Sequence, residues 1–276
     1  MSAQAARRFF PFNLVLPNMP GVAAQLVKSF NDDRVGLGEL AELIGQDPAL
    51  SAKVLRLANS ARYSPLRSVS SLREAAASLG MTMLRNLSLA TSLSGAFPRA
   101  AGLDPDRFWR HAMTSAQHAV LLSRGALLDA DTAYLGGLML RTGQLLMAQI
   151  DKAGVAEVEQ SLATPGGRFA AEQARWQCSH ADVTAELARR WQFPDTLVAA
   201  FQASATPLQA QPYTGLGTVL HLAEALADAV ERGLDPAEVV QGRCAELLAR
   251  LRIKPDWLLA QLAEAASPDE ELALMR

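Results

Sequence analysis

The sequence predicts an all-α protein built as a multi-helix bundle, and three observations carry that reading. Apolar residues recur at three- to four-residue spacing through almost every segment, without the alternation of a half-buried strand. Leu and Ala dominate, while β-branched residues are sparse. Helix starts are written repeatedly: Asp47-Pro48, Asp104-Pro105 and Asp235-Pro236 each place an N-cap oxygen before a proline whose missing N–H costs nothing in the first turn.

Taken in order, the helices span about 20–31, 37–45 and 48–61, the third carrying Leu50, Val54, Leu57 and Ala61 as one stripe. Ser71-Leu72-Arg73-Glu74 is a capping box for a helix over 71–79, with Gly80 as its stop, and 81–94 follows. Asp104-Pro105 opens 105–128, and the stretch YLGGLMLRTGQLLMAQ reads as part of one unbroken helix over 132–151. Further helices fall at about 153–163, 168–177, 180–191, 194–204, 215–232, 236–251 and 255–265, with Ser179 capping the 180–191 helix. No fixed repeat period emerges, which argues against a solenoid. Thr164-Pro165-Gly166-Gly167 is the clearest internal loop. The helices group into an amino-terminal bundle (14–100) after a short tail (1–13), a second bundle (105–210), and carboxy-terminal helices (211–276) packed on the second.

Composition removes several function classes. Lys+Arg (26) nearly balances Asp+Glu (28), so a net charge of -2 gives no field for a phosphate backbone, and nucleic acid is not an expected partner. The two cysteines, Cys178 and Cys244, match no metal or redox spacing and read as reduced thiols of a cytoplasmic protein. Pro11, Asn13 and Pro17 break the apolar stretch after Arg7-Arg8 well short of a signal segment, and no run approaches the roughly 20 apolar residues of a membrane span. Phosphate-binding, dinucleotide-binding, zinc-protease and nucleophile-elbow motifs are absent from the sequence.

Four histidines remain, enough in number for a metal site only if imidazoles and carboxylates converge on one ion. His111 shares a helix face with Phe108, Ala112 and Ser115, with His118 two turns later. His180 follows the capping Ser179, and His221 shares a face with Leu220 and Glu224. Each also reads as a core or capping histidine satisfied by a carbonyl or a water. The anomaly is Arg141, a permanent cation among Leu138, Met139, Leu140, Leu145 and Leu146.

LPNMPGVAAQLVKSFND, followed by LAELIGQDPALSAKVLRLANSARYSPLRSVSSLREAAASLGMTMLRNLSL, resembles the HDOD family. These are HD-like, non-catalytic relatives of the HD and HD-GYP metal phosphohydrolases. The likeness continues through FWRHAM, YLGGLMLRTGQLL, HADVTAELARRWQFPDTL and HLAEALAD, about 14–230. It implies an HDOD domain over 14–210 made of two packed helical subdomains. In catalytic HD proteins the helix matching YLGGLMLRTGQLL carries an adjacent His-Asp pair that bridges the metals; Leu140 and Arg141 stand at those positions here. Leucine cannot ligate, and a guanidinium repels a divalent cation. The resemblance keeps His111 as the first ligand, His180 as the later one and Glu224 as the closing carboxylate, while Ala203-Ser204 replaces a frequent His-His pair. Arg141 is then expected to pair with a carboxylate in the vacated volume, Glu224 first, with an anion-binding cleft or a snorkelling surface position as alternatives.

The expected function is a bacterial signal-transduction regulator: a module without enzymatic activity or cofactor that binds other signalling proteins, in the cyclic-dinucleotide or two-component setting the resemblance implies, with a homodimer left open. Arg62, Tyr63 and Arg67, in the loop ARYSPLRSVSS, are the expected partner contacts, because aromatic and arginine side chains dominate interface energetics. The alternative is a degenerate phosphohydrolase holding one metal through His111, His180, His221 and Glu224.

Overall fold

The computed structural model of the chain describes residues 2–12, 21–29, 35–59, 69–97, 102–242 and 244–264; among them there are helices and no strands. The contacts divide the chain into two compact units, Met1–Val15 with Arg99–Ser267 and Leu16–Pro98 with Pro268–Arg276. A short helix not foreseen in the sequence, α1 (Ser2–Ala6), leads into a 3₁₀ turn at Arg7–Phe9 and belongs to the larger unit.

The smaller unit contains α2 (Gly21–Ser29), α3 (Leu37–Gly45), α4 (Pro48–Ala58), α5 (Leu72–Leu79) and α6 (Met81–Ala96). The Asp47 side chain accepts from the Ala49 and Leu50 amides, and Ser71 accepts from that of Glu74, so both starts form as the cap residues dictate. Leu26, Leu40, Ile44, Val54, Leu57 and Leu84 close its core. Ala61 and the expected partner contacts Arg62, Tyr63 and Arg67 lie outside the described residues.

The larger unit is organised around α7 (Pro105–Gly125), which packs on α8 (Ala130–Met139) and later on α14 (Gly215–Glu231). Between them run α9 (Thr142–Ile150), α10 (Lys152–Ser161), α11 (Arg168–Trp176), α12 (His180–Arg190) and α13 (Asp195–Ser204), with α12 against α9 and α13, and α13 against α14. After α14, the helix expected over 236–251 is broken at Gly242 into α15 (Pro236–Gln241) and α16 (Ala245–Arg250), and α17 (Pro255–Glu264) follows. Cys178 and Cys244 are both buried, and burial pushes the Cys178 thiol up to about 12. No helix among the described residues is long and apolar enough to cross a membrane.

The single helix expected over 132–151 is two, α8 and α9, parted at Leu140 and Arg141. Hydroxyls take over where the helical ladder is interrupted. Thr142 Oγ1 donates to the Met139 carbonyl (2.8 Å), and Thr184 Oγ1, from α12, donates to the Leu140 carbonyl (2.8 Å) while accepting the Gly143 N–H (2.8 Å). A Cβ at position 143 would lie 2.2 Å from the His180 carbonyl oxygen, so only glycine lets α9 approach α12 this closely. Thr184→Val, equal in shape, is expected to lower stability by about 2–3 kcal/mol, because a buried donor and a buried acceptor both lose their partner. Urea denaturation checks this, with Thr184→Ser expected to stay near wild type.

Candidate functional site: a buried ion cluster

The larger unit encloses a cluster of charged and polar side chains contributed by α7, α9, α10, α11, α12, α14 and the α8–α9 break. Glu224 and Asp228, one turn apart on α14, are 0% and 1% exposed. Two carboxylates this deep require cations. The principal one is Arg168, at the start of α11 immediately after the Thr164–Gly167 turn and itself 2% exposed. Its Nη1 donates to Glu224 Oε1 (3.0 Å) and Asp228 Oδ1 (3.1 Å). Its Nε and Nη2 grip the two oxygens of Glu159, on α10, at 2.7 and 3.3 Å. The planar guanidinium thus bridges three carboxylates, which a point-charge ammonium could not do. The turn before it contributes as well: the Gly166 N–H donates to Asp228 Oδ2 (2.9 Å).

His180, the first residue of α12, is the second cation. Its Nδ1 lies 2.6 Å from Glu172 Oε2 and its Nε2 lies 3.0 Å from Glu224 Oε2, so both ring nitrogens face carboxylates. A carboxylate only accepts, hence both nitrogens carry protons and the ring is an imidazolium. Burial alone would lower its pKa, but Glu172 and Glu224 raise it to about 9. Glu224 is correspondingly held near 2: burial pushes it up, and His180 and Arg168 more than reverse that.

His111 brings Nε2 to 3.0 Å from Asp228 Oδ1. Burial and the nearby Arg141 hold its pKa below the ordinary histidine value despite Asp228. His118, on the same helix, is pushed down to about 4 by burial and does not join the cluster. His221 donates from Nδ1 to the Ser204 carbonyl (2.7 Å), and the Phe169 ring stacks between it and His180, with centroids 5.2 and 4.7 Å away.

Arg141 is buried and paired, as expected of one reading, but its carboxylate is Glu159 and not Glu224. Its Nε and Nη2 donate to Gln144 Oε1 (3.2 and 2.6 Å), Nη2 stands 3.5 Å from Glu159 Oε1, and the guanidinium lies 5.6 Å from the centre of the Phe108 ring. Gln144 completes the link by donating Nε2 to Glu159 Oε1 (2.6 Å). Glu224 is held instead by Arg168 at Oε1 and by His180 at Oε2.

The four ligand candidates therefore do not make a metal centre. His180 has no lone pair left, Glu224 is bound by two cations, and His221, though its Nε2 has no partner among the described residues, is parted from His180 by the Phe169 ring stacked on both. Among the described residues the donor atoms of His111, Asp228 and Glu231 do lie within 4.8 Å of one another. Yet His111 and Asp228 are bonded to each other, Arg168 sits on Asp228, and Glu231 pairs with Arg107. A divalent ion there would have to displace a guanidinium that the same carboxylates hold, so the residues present do not fit the metal that the HD resemblance brings to mind.

Sequence reading missed Glu159, Arg168, Glu172 and Asp228. Asp228 had a signal, since it lies four residues beyond Glu224 and seven beyond His221 on one face of α14. Arg168 had a weaker one in its place directly after the Gly-Gly turn, and Glu159 had none.

The comparisons agree with this architecture. The HDOD domain model matches residues 16–207, and the chain belongs to that family. A crystal structure from Shewanella amazonensis SB2B, of a protein provisionally named a phosphohydrolase, is 27% identical, with a TM-score of 0.77 over 99% of this chain and 98% of that one. An HDOD domain protein of unknown function from Geobacter sulfurreducens superposes with a TM-score of 0.78 at 24% identity over 99% and 97% of the two chains. A Marinobacter aquaeolei VT8 protein, provisionally named a signal transduction protein, gives 0.78 at 22% identity, with 99% of this chain covering 64% of that one. An uncharacterized protein of Treponema pallidum (strain Nichols) is 23% identical over 191 residues, 66% of this chain, and the chain spans about a third (36%) of that relative's length.

Proposed function

We propose that the chain is a non-catalytic signal-transduction module that acts in the bacterial cytoplasm by binding other signalling proteins, in cyclic-dinucleotide or two-component circuits. The observation that carries this reading is Arg168. Its guanidinium neutralises Glu159, Glu224 and Asp228 from within the chain, at the place where a hydrolase would need a divalent ion to acidify water. Leu140 is wholly buried with its carbonyl bound by Thr184, and Arg141 adds a second positive charge beside the first.

A phosphohydrolase is the second reading, favoured by the name of the Shewanella relative and by the proximity of His111, Asp228 and Glu231. Incubating the purified chain with a cyclic dinucleotide, and separately with a guanosine polyphosphate, in Mn²⁺ distinguishes the two by chromatography of the products. No turnover above that of a His111→Ala variant is expected. Turnover that Mn²⁺ requires and His111→Ala abolishes would establish the second reading instead.

A further inference from the structure

Within the larger unit, beside the ion cluster, the Thr164–Gly167 turn, α11, α14 and α15 enclose a cavity of about 750 Å³. That volume lies within the range of sites that take small organic molecules, and the ion cluster makes no use of it. Its walls are small or apolar over much of their area, through Pro165, Ala170, Ala225, Leu234 and Val239.

The polar groups restrict what fits. No lysine or arginine is among the described lining residues, and the charged side chain there is a carboxylate, Glu238. Two amides of the turn are already engaged, the Gly166 N–H by Asp228 and the Gly167 N–H by the Thr164 carbonyl. Among the described lining residues a phosphate or carboxylate would meet the Glu238 carboxylate and no side-chain cation to offset its lost hydration. His221, in the wall, supplies one directed group. Because a carbonyl oxygen only accepts, Nδ1 must carry the proton it shares with Ser204, which leaves Nε2 of the neutral ring as an acceptor with no partner among the described residues.

We infer that this cavity is a binding site for an uncharged, largely apolar small molecule that offers an O–H or N–H to Nε2 of His221. The inference goes beyond the proposed function and does not depend on whether the chain hydrolyses a phosphoester. It also gives a bound molecule a route to the ion cluster, since Phe169 lines the cavity and stacks on His180 as well as on His221.

Calorimetric titration of the full chain with β-naphthol, its methyl ether and β-naphthoate tests this, alongside amide NMR shifts at Gly166, Gly167 and Ala225. β-Naphthol is expected to bind and to move those amides. The methyl ether, which keeps the apolar body but lacks the donor, should bind about two- to tenfold more weakly, the worth of one hydrogen bond. The naphthoate should bind more weakly than either. His221→Phe should bring β-naphthol down to the affinity of its ether and leave the ether unchanged. Ala170→Leu, which narrows the cavity from its exposed rim, should weaken both neutral probes equally. Absence of saturable β-naphthol binding, a naphthoate that binds as well as the naphthol, or shifts confined to other amides would overturn the inference.

Discussion

Arg168→Met is expected to destabilise the protein by about 3–5 kcal/mol, because it strands fully buried carboxylates without their shared cation. Glu224 and Asp228 have almost no solvent to turn to, and Glu159 is mostly buried as well. His180 still faces Glu224 and His111 still faces Asp228, but neither reaches across the cluster. Arg168→Lys should recover only part of the loss, since an ammonium can sit on one or two of the three carboxylates that the fork now spans. Adding Glu224→Gln and Asp228→Asn to Arg168→Met should recover part of it by a different route, by removing the charges that were stranded. Guanidinium denaturation at neutral pH measures all four proteins. An Arg168→Met variant within about 1 kcal/mol of wild type would mean that the cluster is hydrated and the buried pairing is wrong.

Stability is expected to fall as pH rises from about 7 to about 9, and His180 is the reason. Its folded pKa of about 9 stands above the ordinary histidine value of 6.5, so the folded state holds this proton more tightly than the unfolded chain. The stabilisation is complete below about pH 6.5 and is lost as pH climbs through about 9, with an upper bound of about 3 kcal/mol at 1.36 kcal/mol per pKa unit. The remaining histidines and two carboxylates act in the opposite direction. His118, pushed down to about 4, and His111 and His221, also lowered by burial, favour the folded state when neutral, so their contribution is lost as pH drops below about 6.5. Glu159 and Glu224, held near 2 by their cations against burial, add a further loss as pH falls below about 4.5. The fall between about pH 6.5 and 8.5 belongs to His180, while Cys178, pushed up to about 12, adds its own loss only as pH passes the ordinary thiol value of 9. Urea titrations across the range should show that slope in wild type and a flattened one in His180→Gln, whatever the variant's absolute stability. An unchanged slope in the variant would place the proton elsewhere.

How far the sequence foretold this arrangement depends on how local each signal was. Asp47, Asp104 and Asp235 each cap the helix they were expected to start, because a side-chain oxygen and a following proline act within one turn. The break at Leu140–Arg141 was not visible, since the Thr184 hydroxyl that makes it tolerable arrives from a helix more than forty residues later in the chain. In the cluster, resemblance brought out His111, His180 and Glu224, and the fold does gather them around one set of ions. Arg168 stayed hidden because RFAAEQARW reads as a surface helix with an arginine in its first turn, while two of its three partners, Glu224 and Asp228, lie 56 and 60 residues away. Arg141 signalled a buried charge correctly and misled about its partner, as Glu159 sits on a helix whose sequence gives no reason to look there.

The central claim is that an arginine of the chain itself supplies the positive charge at the heart of this HD-like unit. Titrating Mn²⁺ into chelator-treated protein, with bound ion followed by electron paramagnetic resonance, tests it most directly. The account predicts far less than one tightly bound ion per chain for wild type, and no rise in thermal midpoint on adding Mn²⁺. One ion per chain, lost on His111→Ala or Asp228→Asn and accompanied by a raised midpoint, would contradict it.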